Sequence, residues 1–158
     1  MLSYISSLPE PEKSRKWAIL QSFEDDATRR AVLKRGMRNF LNFLEAHDVR
    51  TALVTNNSQK NVDALLDRFR LKFDCVLSRE SGLWKPSGEP LRAAMRQLKL
   101  AADECCAIGD SHFDIRAAQE AGIAGIFILS KDRSKFASWP VEIFGTVAAL
   151  QKRFAELF

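Results

Sequence analysis

Three short segments carry residue types that could do chemistry together. The first is Gly109-Asp110-Ser111-His112-Phe113-Asp114, where two carboxylates lie four residues apart directly after a glycine. If a helix starts at Ser111, Asp110 sits at its tip and Asp114 one turn on, so both can face one site. A hard cation such as Mg²⁺ takes one or two carboxylates and completes its shell with waters and phosphate oxygens. The second segment is Trp84-Lys85-Pro86-Ser87, which holds a cation able to offset phosphate charge. The third is Thr55-Asn56-Asn57-Ser58, which offers a hydroxyl and main-chain N–H groups at a helix start, an arrangement suited to an anion. Each alone has an ordinary structural explanation as a cap, a surface lysine or packing. His112 and the Cys105-Cys106 pair have no metal-ligand spacing and read as helix-start and strand residues.

The elements that must position these segments alternate in kind. Val49–Val54, Phe73–Leu77, Cys105–Ile108 and Ala124–Leu129 are short apolar runs that predict strands. Between and after them lie helical patterns: Val62, Leu65, Leu66 and Phe69 behind Ser58; Leu91, Ala94, Met95 and Leu98 behind Ser87; His112–Ala121 stopped by Gly122; and Val147, Leu150, Phe154 and Leu157. Such alternation with continuous apolar strands predicts an α/β fold, a Rossmann-like three-layer parallel sheet covered on both faces. In such sheets ligands bind at the carboxyl ends of the strands, where all three segments fall. Ahead of the first strand run the chain is helical, with Met37, Phe40, Leu41 and Leu44 at helical spacing. The division expected is a helical segment over 1–35 and the α/β core over 36–158.

The three segments, in this order, resemble motifs two, three and four of the haloacid dehalogenase superfamily, in its phosphoglycolate-phosphatase-like branch. The resemblance runs from about Gly36 to the C-terminus and extends through Ile115-Arg116-Ala117-Ala118-Gln119-Glu120-Ala121-Gly122. It implies a Mg²⁺-dependent phosphohydrolase acting on a small phosphorylated substrate. By position, Thr55 would hydrogen-bond the phosphoryl group with the Asn56 N–H. Lys85 would balance charge, Asp110 would bind Mg²⁺, and Asp114 would support Asp110 or the metal's waters. A receiver domain, similar in architecture, places its acids first.

One part of the pattern is missing. The family's nucleophile and acid/base lie in an Asp-x-Asp-x-Thr or Val motif ending a central strand, and its chemistry passes through an aspartyl-phosphate. The nearest string here, Glu24-Asp25-Asp26-Ala27-Thr28, begins with Glu and falls in a helical pattern. A lost central strand would remove about 8–15 kcal/mol of apolar burial, comparable to the whole stability of a domain. The expectation is an N-terminally truncated hydrolase, residues 1–35 being the remnant of a small cap. The alternative is a catalytically inactive binding module, a possible homodimer in which a mate or a swapped strand fills the sheet.

Composition bounds the remaining classes. The 158 residues suit one domain, with 46% apolar and 28% charged residues excluding disordered and fibrous chains. Net charge is +4, but the basic residues are dispersed and no nucleic-acid module signature occurs, so no nucleic-acid partner is expected. No run is long and apolar enough to span a membrane. Three cysteines, an odd number, read as reduced thiols and a cytoplasmic setting.

Overall fold

The computed structural model describes residues 1–157. Two helices lead, α1 (Leu2–Ser7) and α2 (Glu12–Arg30), followed by α3 (Met37–Ala46). The α/β part then runs β1 (Ala52–Val54), α4 (Gln59–Phe69), β2 (Cys75–Leu77), α5 (Glu89–Leu98), β3 (Cys106–Gly109), α6 (His112–Ala121), β4 (Gly125–Leu129), β5 (Glu142–Phe144) and α7 (Val147–Ala155). The strands are shorter than the apolar runs suggest. Cys105 falls just outside β3, and β5 carries no continuous apolar run, only Ile143 and Phe144 of its three residues being apolar.

All strand pairing is parallel, as expected, but the strands form two sheets. β1 pairs with β2, Ala52 opposite Cys75. β3, β4 and β5 pair in that order, Ile108 opposite Phe127 and Ile128 opposite Ile143. No ladder joins β1 to β3, the two strands that lead into Thr55 and Asp110.

Two apolar clusters sandwich the three-stranded sheet. On one face Phe127 and Leu129 pack with Phe40 and Leu44 of α3 and with Val147, Leu150 and Phe154 of α7. On the other, Ile126 and Ile128 pack with Ile115, Ala118 and Ala121 of α6. A third cluster joins Cys75 and Leu77 of β2 to Ala94 of α5. Helix α5 spans the division, with Leu91 and Met95 on the α6 side and Ala93, Ala94 and Leu98 on the β2 side. Its amphipathic pattern therefore serves two sheets.

The leading helices sit on the carboxyl-end side of β2. Arg79, just beyond β2, is buried; it binds both Glu24 carboxylate oxygens at 2.7 and 2.8 Å and the Gln21 side-chain oxygen at 2.8 Å. Its guanidinium lies over the Trp17 ring, 5.0 Å from the centroid, and Trp17 packs against Trp84. Glu24 thus lies on a helix and is held by Arg79, in keeping with a structural role for the Glu24–Thr28 string.

Candidate functional site

Asp114 is the best-held carboxylate of the three segments. Gly109 allows this: a Cβ at that position would lie 2.3 Å from the Asp114 Cβ. Ser111 caps α6, accepting the Asp114 N–H at 3.3 Å, and its hydroxyl donates to Asp114 Oδ2 at 2.6 Å. The main-chain amides of Asp110 and Ser111 reach the same oxygen at 3.1 and 3.0 Å. Asp114 Oδ1 accepts from Lys85 Nζ at 2.6 Å. Burial alone would raise this carboxyl. The Lys85 charge and the hydrogen bonds from Lys85, Ser111 and Asp110 outweigh it and hold Asp114 below the ordinary carboxylate range.

Lys85 is positioned from two sides. The Asn56 side chain clamps its backbone, donating to the Lys85 carbonyl at 2.8 Å and accepting the Lys85 N–H at 2.9 Å. The ammonium then reaches the Val54 carbonyl at 2.8 Å as well as Asp114. Lys85 therefore ties the end of β1 to the start of α6 across the division between the sheets. Two of its three N–H donors are used, leaving one for a ligand.

Thr55 directly follows β1, its amide bonded to the Leu77 carbonyl at 2.9 Å. Its hydroxyl accepts the Asn57 N–H at 3.1 Å and keeps its own proton to donate. Among the described residues the Asn56 N–H has no acceptor. Ser58 starts α4 but its hydroxyl does not cap the helix; it is buried and accepts from Gln21 Nε2 at 3.2 Å.

Thr55, Asn56, Lys85, Asp110 and Asp114 therefore converge at the strand tips, with the Asn56 side chain spent on Lys85. Their fit to Mg²⁺ is limited to one ligand from this chain. Asp110 is exposed, and among the described residues nothing holds its carboxylate. Asp114 has both oxygens engaged and acts as a support. No cluster of three or more metal-ligating side chains occurs among the described residues. One carboxylate with waters and phosphate oxygens suits Mg²⁺.

Several features escaped the sequence reading. The Arg79–Glu24 pair joins residues 55 apart, and no local pattern marks it. Asn56 reads as an anion-cradle residue, and its clamp on Lys85 depends on a contact 29 residues distant. His112 begins α6 as expected; its ring packs on Phe136 and Trp139, and Nε2 meets the Lys135 carbonyl at 2.9 Å.

The sequence profile of the haloacid dehalogenase-like hydrolases matches residues 3–128. A haloacid dehalogenase-like hydrolase domain-containing protein of Arabidopsis thaliana is 26% identical over 123 residues, covering 77% of this chain and 50% of the relative. A phosphoglycolate phosphatase of Rhodospirillum rubrum is 28% identical over 148 residues, covering 92% of this chain and 59% of the relative. The chain spans about half the length of the curated relatives it matches. Among solved structures, a predicted phosphoglycolate phosphatase from Haemophilus somnus superposes with a TM-score of 0.77 at 24% identity, over 93% of this chain and 68% of the other. No helix among the described residues is long and apolar enough to cross a membrane.

Proposed function

Because the chain belongs to the haloacid dehalogenase-like hydrolase family, we propose that it carries the phosphate-binding and charge-balancing part of a Mg²⁺-dependent phosphohydrolase acting on a small phosphate ester. The observation that supports this most is the meeting of Lys85, Asp114 and the Val54 carbonyl beside the exposed Asp110. The Thr55 hydroxyl and the Asn56 N–H bind the phosphoryl oxygens. The remaining Lys85 N–H is available to the same group. Asp110 holds Mg²⁺, which when bound neutralises phosphoryl charge. Asp114 keeps Lys85 in place and fixes the turn that carries Asp110.

In-line displacement at phosphorus needs a nucleophile opposite the leaving group. Within the three strand-end segments the carboxylates are Asp110, assigned to the metal, and Asp114, held by four donors. Neither is free to attack. The 158 residues are therefore proposed to bind phosphate and Mg²⁺ without family-type turnover, the nucleophile coming from a segment outside this sequence. The division between β1 and β3 also favours a second reading, a binding domain that never completes the reaction.

The test is hydrolysis of p-nitrophenyl phosphate by the pure chain with Mg²⁺, alongside calorimetric titration with inorganic phosphate. Binding without hydrolysis supports the proposal. Mg²⁺-dependent hydrolysis lost on Asp110→Asn overturns it.

A further inference from the structure

Basic residues that are dispersed along the chain are not dispersed in space. Arg68, in the last turn of α4, bonds the Arg29 carbonyl at 3.2 Å and the Ala31 carbonyl at 2.5 Å. Arg38, in the first turn of α3, bonds the carbonyls of Phe69 and Arg70. These bonds satisfy the carbonyl ends of α2 and α4, where cations are favoured. They also bring together two stretches of chain, 29–38 and 68–72.

The first stretch carries Arg29, Arg30, Lys34, Arg35 and Arg38. The second carries Arg68, Arg70 and Lys72. All eight are exposed. Arg29 and Arg30 share one carboxylate, Asp26. Among the described residues the other six form no ion pair. The net charge of +4 is therefore unevenly placed. Arg38, Arg70 and Lys72 also line a hollow of about 560 Å³ beside the start of β1. Glu45, Asp48 and Asp74 line the same hollow, where the basic face ends. Of these, Asp74 is spent on the Thr51 amide and hydroxyl, at 2.6 and 3.2 Å.

We infer that this face binds the phosphodiester backbone of a nucleic acid. Six of the eight cations are arginines, whose planar fork takes two phosphate oxygens at once. A membrane surface is the poorer fit. Lying on lipid takes an apolar face beside the charges, and Val32 is the one large apolar residue exposed between Arg29 and Lys72. Phosphate contacts carry no sequence information, so the binding is independent of base sequence. The inference does not rest on the phosphohydrolase reading.

The probe is a fluorescein-labelled 20-base-pair DNA duplex, titrated with the full 158-residue chain by fluorescence anisotropy without Mg²⁺. The expected Kd is about 10 μM at 100 mM salt, with affinity falling steeply as salt rises. A duplex of unrelated sequence is expected to bind equally. Arg35→Gln with Arg70→Gln and Lys72→Gln leaves Arg38 and Arg68 on the helix ends. This triple variant is expected to weaken binding about tenfold and to flatten the slope of log affinity against log salt by about two to three. Arg96→Gln with Lys131→Gln and Arg133→Gln removes the same charge elsewhere and is expected to weaken binding by less than about threefold. Equal weakening in both triples assigns the effect to net charge and overturns the inference. Binding that the first triple keeps in full also overturns it and places the DNA elsewhere, as does the absence of binding at 50 mM salt. Co-sedimentation with phosphatidylserine vesicles without duplex binding overturns it in favour of a membrane.

Discussion

The Lys85 ammonium lies 2.6 Å from the Asp114 carboxylate, and both side chains are largely buried. Removing one partner of such a pair leaves an uncompensated charge. Lys85→Met is expected to cost about 3 kcal/mol in chemical denaturation, the lower end of the buried-pair range. Lys85→Met with Asp114→Asn is expected to cost clearly less than the two single changes added together.

Asp114 also gives stability a pH dependence. Its carboxyl titrates below the ordinary range in the folded chain, so the unfolded state takes up this proton at higher pH. The stability it contributes is present above about pH 4, the unfolded value, and is lost as pH falls through the lower folded value. Thermal melts from pH 6 down to pH 3 should show a falling Tm, with a shallower fall in Asp114→Asn.

Gly109→Ala places a methyl carbon where the Asp114 Cβ already lies 2.3 Å away. The first turn of α6 must move, at a cost of about 3 kcal/mol. Urea titration measures the loss, and phosphate affinity should fall with it.

Arg79 fastens α2 to the core through Glu24, Gln21 and the Trp17 ring. Arg79→Met leaves Glu24 unpaired in a site where its side chain is 15% exposed. A loss of about 3 kcal/mol is expected, and limited proteolysis should cut first within α2. Cleavage equally fast in both proteins would refute this role.

The site was legible in sequence where its chemistry is local. Gly109, Ser111 and Asp114 lie within six residues, and one capping turn brings them together. The Thr55 turn and Lys85 could be placed because strand–helix alternation fixes where strands end. The contacts that set orientation join distant segments: Asn56 to Lys85, Arg79 to Glu24, Lys85 to Val54. Side-chain types alone do not reveal such pairings. The absence of an Asp-x-Asp string at a strand end was also legible, and with it the expectation of an open place in the sheet, which agrees with the two separate sheets. That Lys85 bridges them was not legible, since it rests on contacts between distant segments.

The most direct test of the central claim is calorimetric titration of inorganic phosphate into the 158-residue chain with and without Mg²⁺, repeated for Asp110→Asn. Asp110 is exposed, so its replacement should change stability by less than about 0.5 kcal/mol. Phosphate binding that is strengthened by Mg²⁺ in the parent chain and insensitive to Mg²⁺ in Asp110→Asn is the expected result. Binding absent in the folded parent, or equally Mg²⁺-dependent in the variant, would contradict the assignment of this site.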